Sequence, residues 1–248
     1  MSECIDGVLL YSELKMLDRR LALCASMVRN GSVVADIGTD HAYLPIYLVQ
    51  EGKCPKAIAC DLRKGPLDVA KENISRAGLS SVVTTVLADG LSGISPDDAD
   101  DIVIAGMGGH LIAEILDAAE WVKNPRKRFI LQPMTDACVV RRYLCENGFE
   151  TVSERAVSVG RHLYSVISAE YSSVTSTPDL LYCLIGSMKN GGEPELRYVS
   201  RERSKLEKKL KGLKAARNTH ENTYEVEETL LKLIEIEREM EERLNVNG

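Results

Sequence analysis

Four short segments of the sequence combine acidic residues with glycines in a way that suits the binding of a nucleoside. A glycine in a strand-to-helix turn lets the backbone approach a ligand next to the N–H groups of the helix, and a carboxylate at the next strand end accepts hydrogen bonds from ribose hydroxyls. An acid at a strand end can also be only a helix cap, and a glycine can serve only a tight turn. The four segments are Asp36-Ile37-Gly38, Asp61-Leu62, Asp89-Gly90 and Gly106-Met107-Gly108.

The elements that would position these segments alternate between strand and helix. Apolar runs with β-branched residues are followed by stretches in which apolar residues recur at helical spacing. This alternation predicts an α/β, Rossmann-like domain with a mostly parallel sheet and helices on both faces. Strands are predicted at 32–36, 57–61, 82–87, 101–105 and 129–131, and helices at 14–28, 43–50, 65–76, 110–121 and 136–147.

The pattern changes after Gly148, because segments 149–159 and 163–171 alternate like two strands with no helix between them. We interpret them as an antiparallel terminal hairpin at the edge of the sheet. The carboxyl ends of the parallel strands meet at one edge, where open α/β sheets bind their ligands. We therefore expect the acidic and glycine-rich segments to face one crevice that holds a nucleoside-containing cofactor.

The first turn indicates which cofactor this is. A dinucleotide site needs Gly-x-Gly-x-x-Gly against a pyrophosphate, whereas here Asp40 and Tyr43 stand at the second and third glycine positions. Asp40 would place a carboxylate where the phosphates must lie, but an acidic loop tolerates a cationic sulfonium. S-adenosylmethionine therefore fits better than NAD, with S-adenosylhomocysteine as the product, and no P-loop motif for a nucleotide triphosphate occurs.

The last third of the chain has a different composition. Residues 172–178 have the composition of a linker, and from about Glu195 the chain consists largely of helix formers with apolar residues at spacings of three, four and seven. We expect an antiparallel helical coiled-coil hairpin with a turn at 218–223. The predicted domains are 1–175, which binds S-adenosylmethionine, and 176–248, a C-terminal domain with the helical hairpin.

Length, charge and cysteine content indicate what kind of protein this is. It has 248 residues, a formal net charge of -6 and seven scattered cysteines without a Cys-x-x-Cys spacing. This pattern argues against a disulfide framework and a zinc site, so we expect reduced cysteines and no metal. No leader or long apolar segment is evident, which predicts a cytoplasmic protein without membrane contact. We expect a monomer, although the apolar repeats of the tail are also compatible with pairing between two chains.

Several motifs together resemble one family. They are Val34-Ala35-Asp36-Ile37-Gly38-Thr39-Asp40-His41-Ala42-Tyr43-Leu44-Pro45, then Asp61 with Gly65-Pro66-Leu67, Ala88-Asp89-Gly90-Leu91 and Ala105-Gly106-Met107-Gly108-Gly109. The chain from its opening helix to about Tyr171 is similar to the bacterial tRNA adenine-22 N1-methyltransferases, and its tail resembles their coiled-coil extension. The resemblance implies that Asp36, Gly38, Asp61, Asp89 and 106–108 line the S-adenosylmethionine site, with Asp40 facing the methyl group; Leu62, Gly90 and His41 are added as neighbouring candidates.

A ring nitrogen is the target that the sequence favours. Enzymes that methylate exocyclic amines usually carry Asn/Asp-Pro-Pro-aromatic after the fourth strand, and this chain has Ala-Gly-Met-Gly-Gly there. Methylation of N1 of adenine gives a cation, so Asp40 is our candidate catalytic residue, holding the adenine amino group and stabilising the developing charge. Its alternative role is to cap the helix that begins near Tyr43.

Binding of tRNA requires cations and platforms around the crevice. Positive charge also accumulates between Arg201 and Arg217, opposite an acidic segment that would pair with part of it. The residues predicted to bind the substrate are Lys15, Arg19, Arg20, Gln132, Pro133, Arg161 and Tyr164.

The sequence is also compatible with three other functions. The chain is compatible with a methyltransferase for a small molecule or a protein, because cofactor motifs say little about the acceptor. It is also compatible with a non-catalytic RNA-binding module that has a vestigial cofactor pocket. A dehydrogenase is the weakest alternative because of Asp40.

Overall fold

The computed structural model describes residues 17–215 and 221–246, without the side chains of 221 and 222. The predicted substrate residue Lys15, the first positions of the predicted opening helix and most of the turn predicted at 218–223 lie outside these residues.

The core of the fold is a seven-stranded sheet with the order β3-β2-β1-β4-β5-β7-β6. The first five strands in chain order are parallel, and β7 and β6 are antiparallel, as the alternating pattern after Gly148 predicts. Strand order reverses between β1 and β4. The strands are β1 Val34–Ile37, β2 Ala57–Asp61, β3 Val83–Leu87, β4 Asp101–Gly108, β5 Arg128–Thr135, β6 Phe149–Val159 and β7 His162–Tyr171.

Helices cover both faces of the sheet. Ile112 of α4 and Leu144 of α5 pack with Ile102 and Phe129 on one face, whereas Leu48 of α2 packs with Cys24 of α1 on the other. The strands are apolar on both sides because both faces are covered. The helices are α1 Arg19–Met27, α2 Tyr43–Gln50, α3 Lys64–Arg76, α4 Gly109–Asp117, α5 Ala137–Glu146, α6 Leu180–Ile185, α7 Glu193–Ala215 and α8 Glu221–Val246.

The fold class is as predicted, whereas several element boundaries differ and one short helix was not predicted. The opening helix begins at Arg19 because Asp18 caps it, accepting from Arg20 N and Leu21 N. The helix predicted at 110–121 ends at Asp117, since Ala119 is extended, and a 3-10 turn follows at Glu120–Val122. Residue Asp179 caps the short helix α6, which the linker composition before it did not predict.

Helices α7 and α8 form the antiparallel hairpin that the apolar spacing predicts. Ser200 bonds Glu237, and Lys214 lies 2.6 Å from Glu227, so the two helices run in opposite directions. Their seam contains the residues that the repeat selects, with Val199, Leu206, Leu210, Val226, Leu233 and Met240 buried.

Two buried carboxylates join these helices to the sheet. Glu154 of β6 accepts from Arg141 of α5 at 2.8 Å, and the same guanidinium donates to the carbonyl of Cys183 and to Tyr198 of α7. Glu195 of α7 accepts from the backbone N of Ala156 at 2.8 Å and from Arg155. The hairpin is therefore docked through fully hydrogen-bonded ion pairs as well as apolar contact.

Six cysteines fall in the described part of the chain, and all six are free thiols. Within that same part, none of the helices is both long and apolar enough to cross a bilayer.

Candidate active site

The turn after β1 is fixed by backbone hydrogen bonds. The N–H groups of Gly38 and Thr39 both donate to the carbonyl of Cys60 at 2.8 Å. Gly38 has φ +73°, and a Cβ built on it would lie 2.1 Å from Cε of Met107. The positive φ favours glycine here, and the close methyl group is the end of a flexible side chain that would have to move for any larger residue. Met107, one of the predicted cofactor residues, thus packs directly on the turn.

Asp36 is a buried carboxylate at the carboxyl end of β1. Its exposed fraction is 6%. Its pKa is raised to about 6, chiefly by burial; the nearby Thr39 hydroxyl opposes the rise, and the carboxylates of Asp40 and Asp61 contribute to it. A carboxylate with too little compensating positive charge has a strong preference for a cationic ligand.

Asp61 lies at the end of the neighbouring strand, β2, and is also buried. One oxygen, Oδ1, accepts from the backbone N of Arg63 at 2.7 Å and lies 3.6 Å from Nε of the same residue. The next residue, Leu62, is 63% exposed although it is apolar. An acid beside an exposed apolar side chain is suited to a ribose and an attached base.

Asp40 lies on the open side of the turn, and its side chain is 78% exposed. The helix that follows has Ala42 as its N-cap, without a side-chain cap. Asp40 therefore does not cap α2, which removes its structural alternative. Its contact within the described residues is an Oδ1 to Nε2 distance of 3.1 Å to His41.

His41 and Ala42 both have left-handed backbone conformations, with φ of 61° and 60°. Such conformations in consecutive non-glycine residues are strained and cluster at functional sites. The carbonyl of His41 accepts from Asn73 of α3 at 3.0 Å, which helps to hold the turn. Its Nδ1 is buried and has no partner in the described part of the chain.

A bulge at the end of β4 builds the opposite wall. The pairing of β4 with β5 shifts register around Gly106, which has φ +80°. The Gly106 N–H donates to Oε1 of the buried Gln132 at 3.1 Å, and Nη1 of Arg20 donates to the same oxygen at 3.0 Å. The Arg20 guanidinium also lies over the ring of Tyr164, 5.6 Å from its centroid.

Several of these residues line a cleft of about 810 Å³, which we call the Asp40 cleft. It brings together five of the predicted site residues, from α1, β1, the first turn and β4, and Tyr43 also lines it. The predicted residues in its lining are Arg20, Asp36, Gly38, Asp40 and Gly106.

Other predicted residues lie elsewhere. Asp89 is exposed at the end of β3 and, with Gly90, lines a separate cleft of about 960 Å³. Asp61 and Leu62 do not line the Asp40 cleft either, so the prediction that all four segments face one crevice stays a prediction. Arg19 and Arg161 are exposed on α1 and in the turn between β6 and β7, and the buried Pro133 lines a further cleft together with Tyr164. Gly108 lies at the N-terminus of α4.

Sequence reasoning missed the links between these residues. It named Gln132, Arg20 and Tyr164 separately, but their contacts span more than a hundred positions of chain. Met134, whose sulfur lies 3.1 Å from Nη1 of Arg20, was not singled out. The one signal was Gln132 itself, a polar residue inside an otherwise apolar strand.

The geometry fits S-adenosylmethionine. Asp36 provides a buried negative charge beside the turn at Gly38, and Asp61 with Leu62 provides an acid and an apolar contact one strand away. Gly106 leaves the wall open, since a Cβ there would come no nearer than 3.9 Å to Arg20. No group of three or more potential metal ligands occurs among the described residues.

Comparison with known proteins gives consistent results. Residues 17–167 match a family model described as a methyltransferase domain. The chain is 41% identical over 159 residues to the tRNA (adenine(22)-N(1))-methyltransferase of Bacillus subtilis, an alignment that spans 64% of this chain and 66% of that protein, about two thirds of its length.

Solved structures are similar over nearly the whole chain. The Bacillus subtilis m1A22 tRNA methyltransferase TrmK superposes with a TM-score of 0.76 at 32% identity, covering 91% of this chain and 98% of that one. Mycoplasma capricolum TrmK, solved with S-adenosyl-homocysteine, gives a TM-score of 0.70 at 28% identity, with coverages of 91% and 98%.

Proposed function

This chain belongs to the family of tRNA (adenine(22)-N(1))-methyltransferases, and we propose that it transfers a methyl group from S-adenosylmethionine to N1 of adenine 22 in tRNA. It is an S-adenosylmethionine-dependent methyltransferase with a Rossmann-like fold. The observation that carries the proposal is the Asp40 cleft, which is lined both by the buried carboxylate of Asp36 and by the exposed carboxylate of Asp40.

We assign the cofactor to the carboxyl ends of β1 and β2. Bound S-adenosylmethionine supplies an electrophilic methyl group. Asp36 would hold the cationic amino-acid portion, and the Gly38 backbone would lie against it. Asp61 would accept hydrogen bonds from the ribose, with Leu62 and Met107 packing on the base; Asp89, Gly90 and Gly108 remain predicted cofactor residues.

Asp40 is the proposed catalytic residue. Its carboxylate projects from the strained turn into the cleft, where it would accept a hydrogen bond from the adenine amino group and stabilise the positive charge that forms as N1 is methylated. Methyl transfer to a lone pair needs mainly an in-line approach, so orientation of the base supplies the rest of the catalysis. His41 supports Asp40 from the adjacent position.

The acceptor base would enter from the side of Arg20 and Tyr164. Gln132 holds Arg20, and Arg20 covers the Tyr164 ring, so both are positioned before tRNA binds. Arg19 and Arg161 are exposed and would contact phosphates. A base must leave its stack to reach the cleft, which makes an aromatic wall useful.

We further propose that residues 1–175 form the catalytic domain and residues 176–248 a C-terminal domain that contributes to tRNA binding. The protein would act in the cytoplasm. It would act as a monomer, since the apolar seam of α7 and α8 closes within one chain.

The test is methyl transfer to unmodified tRNA by wild-type protein and by Asp40→Ala. We expect wild type to form 1-methyladenosine, and the variant to lose roughly 100-fold in kcat with cofactor affinity changed by less than about threefold. If the wild-type protein consumes S-adenosylmethionine but does not methylate tRNA, the proposed substrate class is wrong. Unchanged turnover of Asp40→Ala would contradict the catalytic role alone.

A further inference from the structure

A second cleft lies next to the Asp40 cleft, between the end of the sheet and helix α7. We call it the Ser165 cleft; it has a volume of about 360 Å³ and is lined by Thr135, Tyr164, Ser165, Arg201 and Lys205, among others. Its size is within the range of roughly 300 to 1,000 Å³ found for small-ligand sites.

The two clefts are neighbours. Met134 lines both of them. Tyr164 lines the Ser165 cleft, and Arg20, which lines the Asp40 cleft, lies over its ring. The two clefts therefore adjoin, and a strand whose base occupies one could extend into the other.

Ser165 gives this cleft an unmet hydrogen-bonding group. Its exposed fraction is 1%, and its Oγ has no hydrogen-bond partner in the part of the chain that the structure describes. A buried hydroxyl without a partner is costly, and native proteins satisfy nearly all such groups. A polar ligand in the cleft would supply the missing hydrogen bond.

Two cations stand at the rim on α7. Arg201 is held by the carbonyl of Leu163 and by the ring of Tyr198, whose centroid lies 4.3 Å from the guanidinium. Lys205 is 62% exposed and lies 2.9 Å from Glu202, an acid that also pairs with Arg201. Asp136 and Glu202 line the cleft as well and offset the charges of these two cations, so a phosphate there would be held by hydrogen bonds from Arg201 and Lys205 rather than by an excess of positive charge.

We propose that the Ser165 cleft holds the ribonucleotide adjacent to the target adenine. Ser165 hydrogen-bonds its 2′-hydroxyl or its base edge, Tyr164 and Met134 form apolar contacts with it, and Lys205 and Arg201 face its phosphate. This inference rests on the proposed function, because it needs an RNA strand whose adenine enters the Asp40 cleft.

The experiment measures methylation kinetics with tRNAs that carry a single 2′-deoxy or abasic nucleotide on either side of the target adenine. Wild type should show a KM raised roughly tenfold for a change on one side only. An effect of the 2′-deoxy substitution assigns the Ser165 contact to the sugar, and an effect of the abasic site alone assigns it to the base.

Two variants and two matched controls accompany the tRNAs. Ser165→Ala should raise KM for unmodified tRNA roughly fivefold, with kcat little changed, and should remove the sensitivity to the neighbouring substitution. Ser168→Ala is the control, because Ser168 is equally buried on β7, also lacks a partner for its hydroxyl among the described residues and does not line the cleft. Lys205→Ala should weaken the salt dependence of KM, whereas Lys232→Ala, an exposed lysine paired with Glu228, should not.

Equal tolerance of wild type to changes on both sides of the adenine would overturn the proposal, whatever the variants do. So would identical behaviour of Ser165→Ala and Ser168→Ala on modified and unmodified tRNA. Absence of 1-methyladenosine on unmodified tRNA would instead contradict the proposed function itself. Cofactor affinity and melting temperature of each variant identify loss of folding, in which case the wild-type series decides.

Discussion

At the scale of single residues, the site depends on a carboxylate that the fold itself does not favour. Asp36 is buried beside two other acids, and its pKa is raised to about 6. Because the unfolded chain would ionise near the usual value of about 4, the folded free protein loses stability as pH rises from about 4 to about 6. The cationic cofactor would recover this loss on binding.

Replacement of Asp36 by Asn should therefore separate stability from binding. We expect Asp36→Asn to stabilise the free protein at neutral pH by at most about 3 kcal/mol, with an increase in Tm of several degrees that shrinks as pH falls toward 4. Its affinity for S-adenosylmethionine should fall, and wild-type affinity should weaken below about pH 6. Calorimetry and thermal melts measure both quantities.

The control is Asp97→Asn, which changes an exposed acid in the loop before β4. It should alter neither Tm nor cofactor affinity. A less stable Asp36→Asn variant would show that the carboxylate has a structural role, and unchanged cofactor affinity would remove Asp36 from the site.

The residues at strand ends could be predicted from the sequence, because an acid or glycine after an apolar run has a position that the sheet dictates. Asp36, Gly38, Asp40 and Gly106 lie together for this reason. The Gln132 network and the unpaired Ser165 hydroxyl could not be predicted, since they depend on side-chain contacts between distant segments. Asp89 shows the limit of the rule: β3 is the edge strand, two strands from the switch point.

At the scale of elements, helix α7 presents an asymmetric charge pattern. Its residues Arg203 and Lys214 pair with Glu237 and Glu227 of α8, as the sequence pattern predicted for part of the basic row. Lys208, Lys209 and Lys211 are exposed, and no ion pair is found for them among the described residues. This face continues from Lys205 at the rim of the Ser165 cleft.

Reversing charge on this face should weaken tRNA binding. For the double substitution Lys208→Glu and Lys209→Glu we expect a tRNA affinity reduced roughly tenfold or more at low salt, with a smaller difference at high salt, because phosphate contacts release counterions. Lys232→Glu on α8 is the matched control. Binding measured over a salt series is the readout, and equal affinity of both variants would leave the helical hairpin as a scaffold.

Element boundaries were predictable where a local signal exists. Helix α2 begins at the expected residue because Pro45 suits only a first turn, and it also ends at the predicted residue. Helix α4 stops early without a glycine or proline to mark its end, and α6 is too short for its periodicity to be recognised. These elements are set by tertiary packing.

At the scale of the whole molecule, the C-terminal helices are part of one packed structure with the sheet. The guanidinium of Arg141 is 1% exposed and bonds Glu154 of β6, the α6 backbone and Tyr198 of α7. A buried pair of this kind need not add net stability, but loss of one partner leaves a buried charge. The position of α7 beside the Ser165 cleft therefore depends on the hydrogen bonds of Arg141.

Arg141→Met should destabilise the protein by roughly 3 to 5 kcal/mol and loosen the C-terminal helices. Arg128→Met is the control, because the Arg128–Glu170 pair on the neighbouring strand is partly exposed and its loss should cost at most about 1 kcal/mol. Equilibrium unfolding measures both, and limited proteolysis reports cleavage between β7 and α7. Equal stability of the two variants would contradict the proposed role of the Arg141 contacts in holding the C-terminal helices.

The central claim is that adenine 22 of tRNA is methylated at N1. The most direct measurement compares methyl transfer from S-adenosylmethionine to one tRNA transcript with adenine at position 22 and to the same transcript with guanine there, followed by nucleoside analysis. We predict 1-methyladenosine in the first and no methyl incorporation in the second. Equal incorporation into both transcripts, or N6-methyladenosine as the product, would contradict the account.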